Sequence, residues 1–445
     1  MLNNDLPIPD RKRDGFSGRW GFIMACIGSA VGMGNIWMFP YRVGSMGGAA
    51  FLIPYILFVV LIGYIGSIGE MVFGRGAGRG PLGAMRMALD KKGKPRLGEA
   101  IGLIPVVGQL ATAIGYSVVI AWIIRFLVGS LDGSVMAADN GGAYFGAIAG
   151  PFSSISWHLI ALFVTFAIMV LGVSSGIEKV NKVLIPAFFC LFIILAVRAA
   201  TLPGAMAGYA YLLSPKWSLL AEPKTWVFAL GQAFFSLSIG GGGTLVYGSY
   251  LKKSEDIISS ARLVCVFDTL AAFLAALVII PSVFAFGLDP AAGPPLMFIT
   301  MPEVFKMMPL GNLFMVIFFA AVMFAGITSL VNLFESPIEA LQSKFGFSRA
   351  KAVAAIAAVA VVVGILIEGI VGEWMDVVTI YIVPLGAVVA ALLLWWVLGG
   401  KWARAEAQAG RAKPVSFLFE PVGKYLFCGV SILVYILGVF FGGIG

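Results

Sequence analysis

Apolar positions along this chain come in long runs bounded by charged residues or Pro/Gly-rich turns. They fall near residues 20–43, 48–73, 99–128, 153–173, 178–199, 225–250, 260–287, 310–340, 350–369, 374–398 and 424–443. A helix needs roughly 20 apolar residues to cross a bilayer, so the pattern predicts an all-α integral membrane protein of about eleven transmembrane helices. Two runs are interrupted near their middles. The first contains Gly28-Ser-Ala-Val-Gly-Met-Gly-Asn35 and the sixth Ser236-Leu-Ser-Ile-Gly-Gly-Gly-Gly-Thr244. Each glycine costs a helix about 1 kcal/mol relative to alanine, so the sixth run is expected to unwind. Unpaired backbone at membrane depth is tolerated only where protein buries it or a cavity receives it. Gly-interrupted segments at corresponding places in two halves of five helices point to a transport site at the midplane. Close packing through Gly28-x-x-x-Gly32 is the competing reading. It explains the first break better than it explains both, each of which is flanked by Ser, Thr or Asn.

Composition removes the alternatives. The 445 residues are 60% hydrophobic and 12% charged, against about 25% charged in soluble proteins, which leaves little room for a separate soluble domain. The net charge of +8 is explained by placement and not by nucleic acid. Of the 30 basic residues, 24 fall on one side: before the first run, in the loop 75–96, and in later loops around 179–182, 252–262, 344–351 and 401–424. The excess marks the cytoplasmic side, which predicts a multi-pass protein of the cell's inner (plasma) membrane with a cytoplasmic N-terminus and an external C-terminus. The polar, basic opening shows no cleavable signal peptide. Cys26, Cys190, Cys265 and Cys428 lie in apolar runs without metal-like spacing and are expected as packed thiols. His158 is expected as an interfacial residue rather than a proton relay, and Trp395 and Trp396 as interface anchors. No Walker motif, paired catalytic carboxylates or Cys/His cluster is present, so the chain is not expected to be an enzyme or to hold an organic cofactor.

A broken helix exposes carbonyl oxygens at the end of one half and amide hydrogens at the start of the next. The first suit a small cation such as sodium, which takes about five or six oxygens without needing surplus charge. Candidates are the carbonyls of Gly28, Ala30 and Val31, with Asn35, Ser236, Thr328 and Ser329. The amides around Gly32, Met33 and Gly34 could receive a carboxylate, so a zwitterionic amino acid fits the dipolar site.

These residues also carry a resemblance. Arg13-x5-Arg19-x-Gly21-Phe22, the stretch from Gly28 to Trp37-Met-Phe-Pro40, and Gly47-Gly-Ala-Ala-Phe-Leu-Ile-Pro54 resemble the opening of the neurotransmitter:sodium symporter family. Gly231-Gln-Ala-Phe-Phe-Ser-Leu-Ser238 and Ala325-Gly-Ile-Thr-Ser329 are similar to its sixth and eighth helices. The resemblance covers nearly the whole chain. It implies a five-plus-five inverted repeat, with spans 1–5 in residues 19–199 and spans 6–10 in 200–398. A cytoplasmic segment, 1–18, precedes them, and a cytoplasmic loop with span 11 follows in 399–445. It further implies sodium-driven uptake of an amino acid by alternating access, with the bilayer and that small molecule as partners.

Carried over residue by residue, the resemblance implies two sodium sites. The first has Ala30, Asn35, Ser236 and Asp268, and the second Gly28, Val31, Ala325, Thr328 and Ser329. It places the substrate among Ser29, Gly32, Met33, Gly34, Thr112, Tyr116, Phe235, Ser236, Ser238, Gly241, Ser329 and Leu333. Phe235 serves as an aromatic lid, and Gly241 stands where bulkier side chains often narrow the pocket. Gly32 stands where amine carriers place an aspartate, which favours amino acids over amine or betaine-like substrates. Asp268 is costly in a bilayer. It is read either as fixed negative charge beside the first sodium, making transport chloride-independent, or as a structural pair with an arginine or a protonated acid. A proton-coupled permease of the same architecture, with Asp268 carrying the proton, is the rival function.

The spacing Gly176-x9-Pro186 resembles one that lets the cytoplasmic end of the fifth helix unwind; the alternative is a simple proline kink. The family's outer gate pairs an arginine with a tenth-span aspartate. Here the arginine's position is Met38, the aspartate is Asp376, and Arg42, one turn on, either replaces the arginine or snorkels outward. For the inner gate Arg13 is present, but the expected acid reads Ser343, which leaves packing or another carboxylate such as Glu335.

Overall fold

The computed structural model describes residues 15–290 and 296–443, so Arg13 lies outside the described residues. All regular elements among them are helices. The first run forms α1a (Arg19–Ala30) and α1b (Gly34–Ser45), bent by 49°. Then follow α2 (Ala49–Ala77), α3 (Pro95–Leu131), the shorter α4 (Ile155–Val170) and α5 (Val173–Ala200). The second half begins with α6a (Pro223–Ser236) and α6b (Gly243–Ser249), followed by α7 (Ile257–Ala285) and α8 (Gly311–Phe345). The next 60 helical residues, Arg349–Gln408, would measure about 90 Å at 1.5 Å per residue, three bilayer cores end to end. They carry two spans. α9 (Arg349–Ile367) ends where the tight turn Glu368–Ile370 and the non-helical Ile370 (φ −132, ψ 25) interrupt the ladder, and α10, 371–398, ends at Gly399 (φ 96, ψ 153), where the further helix Gly400–Gln408 begins. α11 (Phe419–Phe441) completes eleven spans. Two sets of five, each opened by a broken helix, constitute the five-plus-five inverted repeat.

The sequence pattern misses the short helices between spans, including Pro81–Asp90, Ala205–Leu213 and Thr300–Met307, because their apolar faces are too short to stand out. Large apolar side chains stay exposed on the outer helices: Val183, Ile193, Ile194 and Val197 on α5, and Ile432, Leu433, Ile436 and Phe440 on α11. Such a belt suits lipid, where no penalty attaches to it. Three of the four cysteines are buried, but Cys190 is exposed on α5, contrary to the expectation of a packed thiol.

Two other expectations are overturned. His158 is fully buried and not interfacial: its Nε2 lies 2.7 Å from Ser117 Oγ and its Nδ1 3.9 Å from Glu368 Oε1. Room for the ring exists because α9 presents Gly364, where a Cβ would strike the imidazole. Trp395 is likewise buried, stacked edge-on with Phe419, while Trp396 alone of the pair is exposed.

Several of the basic segments meet: Arg75 and Lys253 both reach Glu406, Arg411 reaches Asp256, and Arg19 reaches Ser259. There the fully buried Arg75 of α2 donates to Glu406 Oε1 at 2.7 Å and to the Glu255 carbonyl at 2.6 Å, joining α2, the loop before α7 and the helix Gly400–Gln408. Without Arg75, Glu406 keeps Lys253, but the carbonyls of Glu255, Glu406 and Ala409 lose this donor and the packing around a buried charge is broken. Arg75→Ala is therefore expected to cost about 3 kcal/mol and lower the thermal midpoint of detergent-solubilised protein by several degrees. An unchanged midpoint would refute that role.

Candidate functional site

The two breaks meet at the centre of the bundle. In the first helix Val31 turns extended (φ −71, ψ 106), and its amide is the last to close onto α1a, bonding the Ile27 carbonyl at 2.7 Å. In the second, residues 237–242 leave the helix, with Ser238 and Gly241 at φ +54 and +72. Glycine makes the Gly241 dihedral accessible, whereas Ser238 adopts the left-handed conformation with a side chain in place. The Ser238 hydroxyl spans the gap, donating to the Ser29 carbonyl at 3.0 Å. Ser329 of α8 reaches the same carbonyl at 3.4 Å.

Around Asp268 three of the four residues assigned to the first sodium site, Asn35, Ser236 and Asp268 itself, are brought together. Asn35 Nδ2 donates to Asp268 Oδ1 at 2.7 Å and to Ser236 Oγ at 3.0 Å, while Ser236 Oγ donates to Asp268 Oδ2 at 2.7 Å. All three are buried. Among the described residues no arginine pairs with Asp268, so the structural ion pair is not what holds it. The Asn35 amide oxygen accepts from Gly32 N at 3.0 Å, and Gln232 Nε2 donates to the Gly34 carbonyl at 2.8 Å, which fixes the start of α1b. A carboxylate flanked by an amide and a hydroxyl can neutralise and coordinate a small cation.

The residues assigned to the second site lie between α1a and α8. Thr328 Oγ1 donates to the Ala325 carbonyl at 3.0 Å, and Thr328 Cβ stands 2.9 Å from the position a Cβ on Gly28 would take. Gly28 thus permits contact of the two helices beside Val31. At the substrate end, Tyr116 OH accepts from Met33 N at 3.0 Å. Tyr116 OH and Ser329 Oγ lie 2.8 and 3.0 Å from where a Gly32 Cβ would stand. The amides of Gly32 and Met33, expected to meet a carboxylate, thus already bond Asn35 and Tyr116, and a substrate would share or displace those partners. Phe235 packs on Gly34, its ring atoms 3.0 and 3.2 Å from that residue's Cβ position, as a lid would. Thr112 lies one turn before Tyr116, its hydroxyl turned to the Gly108 carbonyl at 2.7 Å, and Leu333 one turn beyond Ser329.

Gly241 departs from expectation. A Cβ there would come within 2.6 Å of the Gly386 carbonyl oxygen of α10, so this glycine serves a close helix approach rather than enlarging a pocket. The gates depart too. Arg42 and Asp376 form no ion pair; the Arg42 guanidinium lies 4.1 Å from the Phe228 ring centre, and Asp376 is exposed. Glu335 is committed to Arg349 through two 2.7 Å bonds and accepts from Tyr250 OH at 2.7 Å. α5 runs helically through Pro186, with a wider turn at Val173–Ile177 that includes Gly176.

Sequence reasoning missed Glu70. This buried α2 carboxylate accepts from Gly240 N at 3.0 Å and Gly241 N at 2.6 Å, capping the unwound part of the sixth helix. A signal existed, since Glu70 is the lone acid of the second apolar run and such acids are costly at depth. Gln109, buried against Gly240 and Gly242, gave none.

Paired half-helices facing each other inside the bundle, with a buried acid beside them, define a secondary transporter built on inverted repeats. Comparison with known proteins agrees. A profile of the Sodium:neurotransmitter symporter family matches residues 13–143 and 149–402. An uncharacterised sodium-dependent transporter of Bacillus subtilis (strain 168), YhdH, is 37% identical over 332 residues, 74% of this chain and 72% of its own. The uncharacterised sodium-dependent transporter MJ1319 of Methanocaldococcus jannaschii is 32% identical over 420 residues, 87% of this chain and 83% of its own. The crystal structure of MhsT in complex with L-phenylalanine superposes with a TM-score of 0.85 at 33% identity, over 96% of this chain and all of that one. The chain belongs to the Sodium:neurotransmitter symporter family. It is a multi-pass, sodium-dependent membrane transporter and not an enzyme.

Proposed function

We propose that the chain imports an amino acid together with two sodium ions by alternating access, without chloride. The observation that carries this reading is the Asn35–Ser236–Asp268 junction between the two broken helices. It supplies fixed negative charge at the first ion, the role an external anion would otherwise fill. The amide end of α1b with the Tyr116 hydroxyl suits a carboxylate, and the carbonyl of Ser29 suits an ammonium group. MhsT, solved with L-phenylalanine, supports an amino acid as cargo. The halves 19–199 and 200–398 are the moving repeats, and 399–445 adds a loop and α11. The meeting of several basic segments around Glu406 and Asp256 supports a cytoplasmic position for them and for residues 1–18, with the C-terminus outside the inner membrane.

The test is a thermal-shift screen of the twenty amino acids with and without sodium, because a ligand that binds only the folded state raises its midpoint. One group of amino acids should stabilise the protein only when sodium is present. Stabilisation by none of them, but by betaine or an amine, would overturn the substrate assignment. Sodium-independent uptake in proteoliposomes would instead support proton coupling through Asp268.

A further inference from the structure

The second sodium site, as carried over, has five oxygens: the carbonyls of Gly28, Val31 and Ala325 and the hydroxyls of Thr328 and Ser329. All come from the first and eighth helices. A third helix also reaches this place. Asn181 of α5 is 1% exposed, and its Nδ2 donates to the Ile177 carbonyl one turn back at 2.8 Å. That bond fixes the amide's orientation, because the flipped amide would set its oxygen against a carbonyl oxygen. The other end, Oδ1, has no hydrogen-bond partner among the described residues. It lies beside Gly28 and Thr328, two of the residues assigned to the site. Oδ1 intrudes on the space a Cβ on Gly28 would need, and Thr328 Cβ lies 2.9 Å from where that Cβ would stand.

A buried amide oxygen without a partner is destabilising, and a cation is the partner that this neighbourhood is built to hold. We propose that Asn181 Oδ1 is a sixth oxygen for the second sodium ion, contributed by α5. The inference rests on the reading that this ion sits between α1a and α8. An uncharged amide oxygen suits a site that already has two hydroxyls and three carbonyls, since it adds a dipole without adding net charge.

The placement carries a mechanical consequence. Ile177, which accepts from Asn181, closes the wide turn Val173–Ile177 that begins α5, and Glu178 next to it accepts from Ser17 N at 2.7 Å and from the Ser17 hydroxyl. The start of α5 is therefore tied to the chain just before α1a, and through Asn181 to the ion. Occupancy holds α5 against α1a and α8, and departure of the ion releases that hold.

The test titrates sodium against the intact protein in detergent, following tryptophan fluorescence and sodium-22 binding at saturating substrate. Asn181→Ala and the near-isosteric Asn181→Leu are compared with Thr328→Ala. Both Asn181 variants should raise the half-saturating sodium concentration about tenfold, as expected for loss of one ligand. Sodium-induced protection of residues 173–181 from hydrogen exchange should also disappear. Asn181→Leu preserves volume and keeps the comparison usable if the alanine variant fails to fold. If both Asn181 variants titrate like wild type while Thr328→Ala weakens sodium binding, the sixth ligand is wrong and the second site stands. If Thr328→Ala also titrates like wild type, the second site itself is misplaced and the inference fails with it.

Discussion

Replacing Asp268 by asparagine is expected to raise the sodium concentration needed for half-maximal uptake by one to two orders of magnitude. Asp268 is the carboxylate that joins the first broken helix to the sixth, held by Asn35 and Ser236 at 2.7 Å each. Interactions with a charged group contribute about 1.5–3 kcal/mol, and each 1.4 kcal/mol is a factor of ten. Asparagine keeps the shape and removes the charge, so loss of ion affinity with an intact fold isolates the electrostatic contribution. Ser236→Ala, which leaves the charge in place, should lose about tenfold. The same charge makes a second, linked expectation: wild-type uptake should be unchanged when gluconate replaces chloride. Labelled amino acid uptake into proteoliposomes measures both. A sodium titration of Asp268→Asn that overlays wild type would remove the first site from the mechanism, and collapse of wild-type uptake in gluconate would show that the compensating charge comes from solution.

Glu70→Ala is expected to be as damaging by a different route. Its Oε1 accepts the amides of both Gly240 and Gly241, and alanine would leave two donors unpaired at membrane depth. At about 1–3 kcal/mol for each stranded group, the unwound segment loses about 4 kcal/mol of support. Sodium-dependent binding should vanish and the thermal midpoint should fall. Glu70→Gln keeps an acceptor oxygen in place and should retain most of both. That contrast separates an acceptor role from a charge role. Equal damage in the two variants would make the charge decisive, and wild-type behaviour of Glu70→Ala would show that the break supports itself.

How far the sequence leads can be seen residue by residue. The breaks at 28–35 and 236–244 were legible because glycine acts on its own stretch of backbone, wherever the rest of the chain lies. Asp268 was legible because an acid in a hydrophobic run is conspicuous without knowledge of its neighbours. The gate residues were not: Arg42 and Asp376 have the right charges, but Arg42 finds the face of Phe228 in this structure. His158 also escaped, since its burial depends on the missing side chain of Gly364 on a helix about two hundred positions later.

The chain's own pattern thus determined that this protein lies in a membrane, how many times it crosses, and where two of its helices come apart. Those properties follow from hydrophobicity and backbone preference, which act over a few turns. The partners of the opened backbone were decided only by tertiary structure: Glu70 for the amides of Gly240 and Gly241, Gln232 for the carbonyl of Gly34, and Asn181 beside Gly28. Each pairing joins residues more than a hundred positions apart. Which polar group reaches which is set by the packing of whole helices, a collective outcome that no local stretch of sequence encodes.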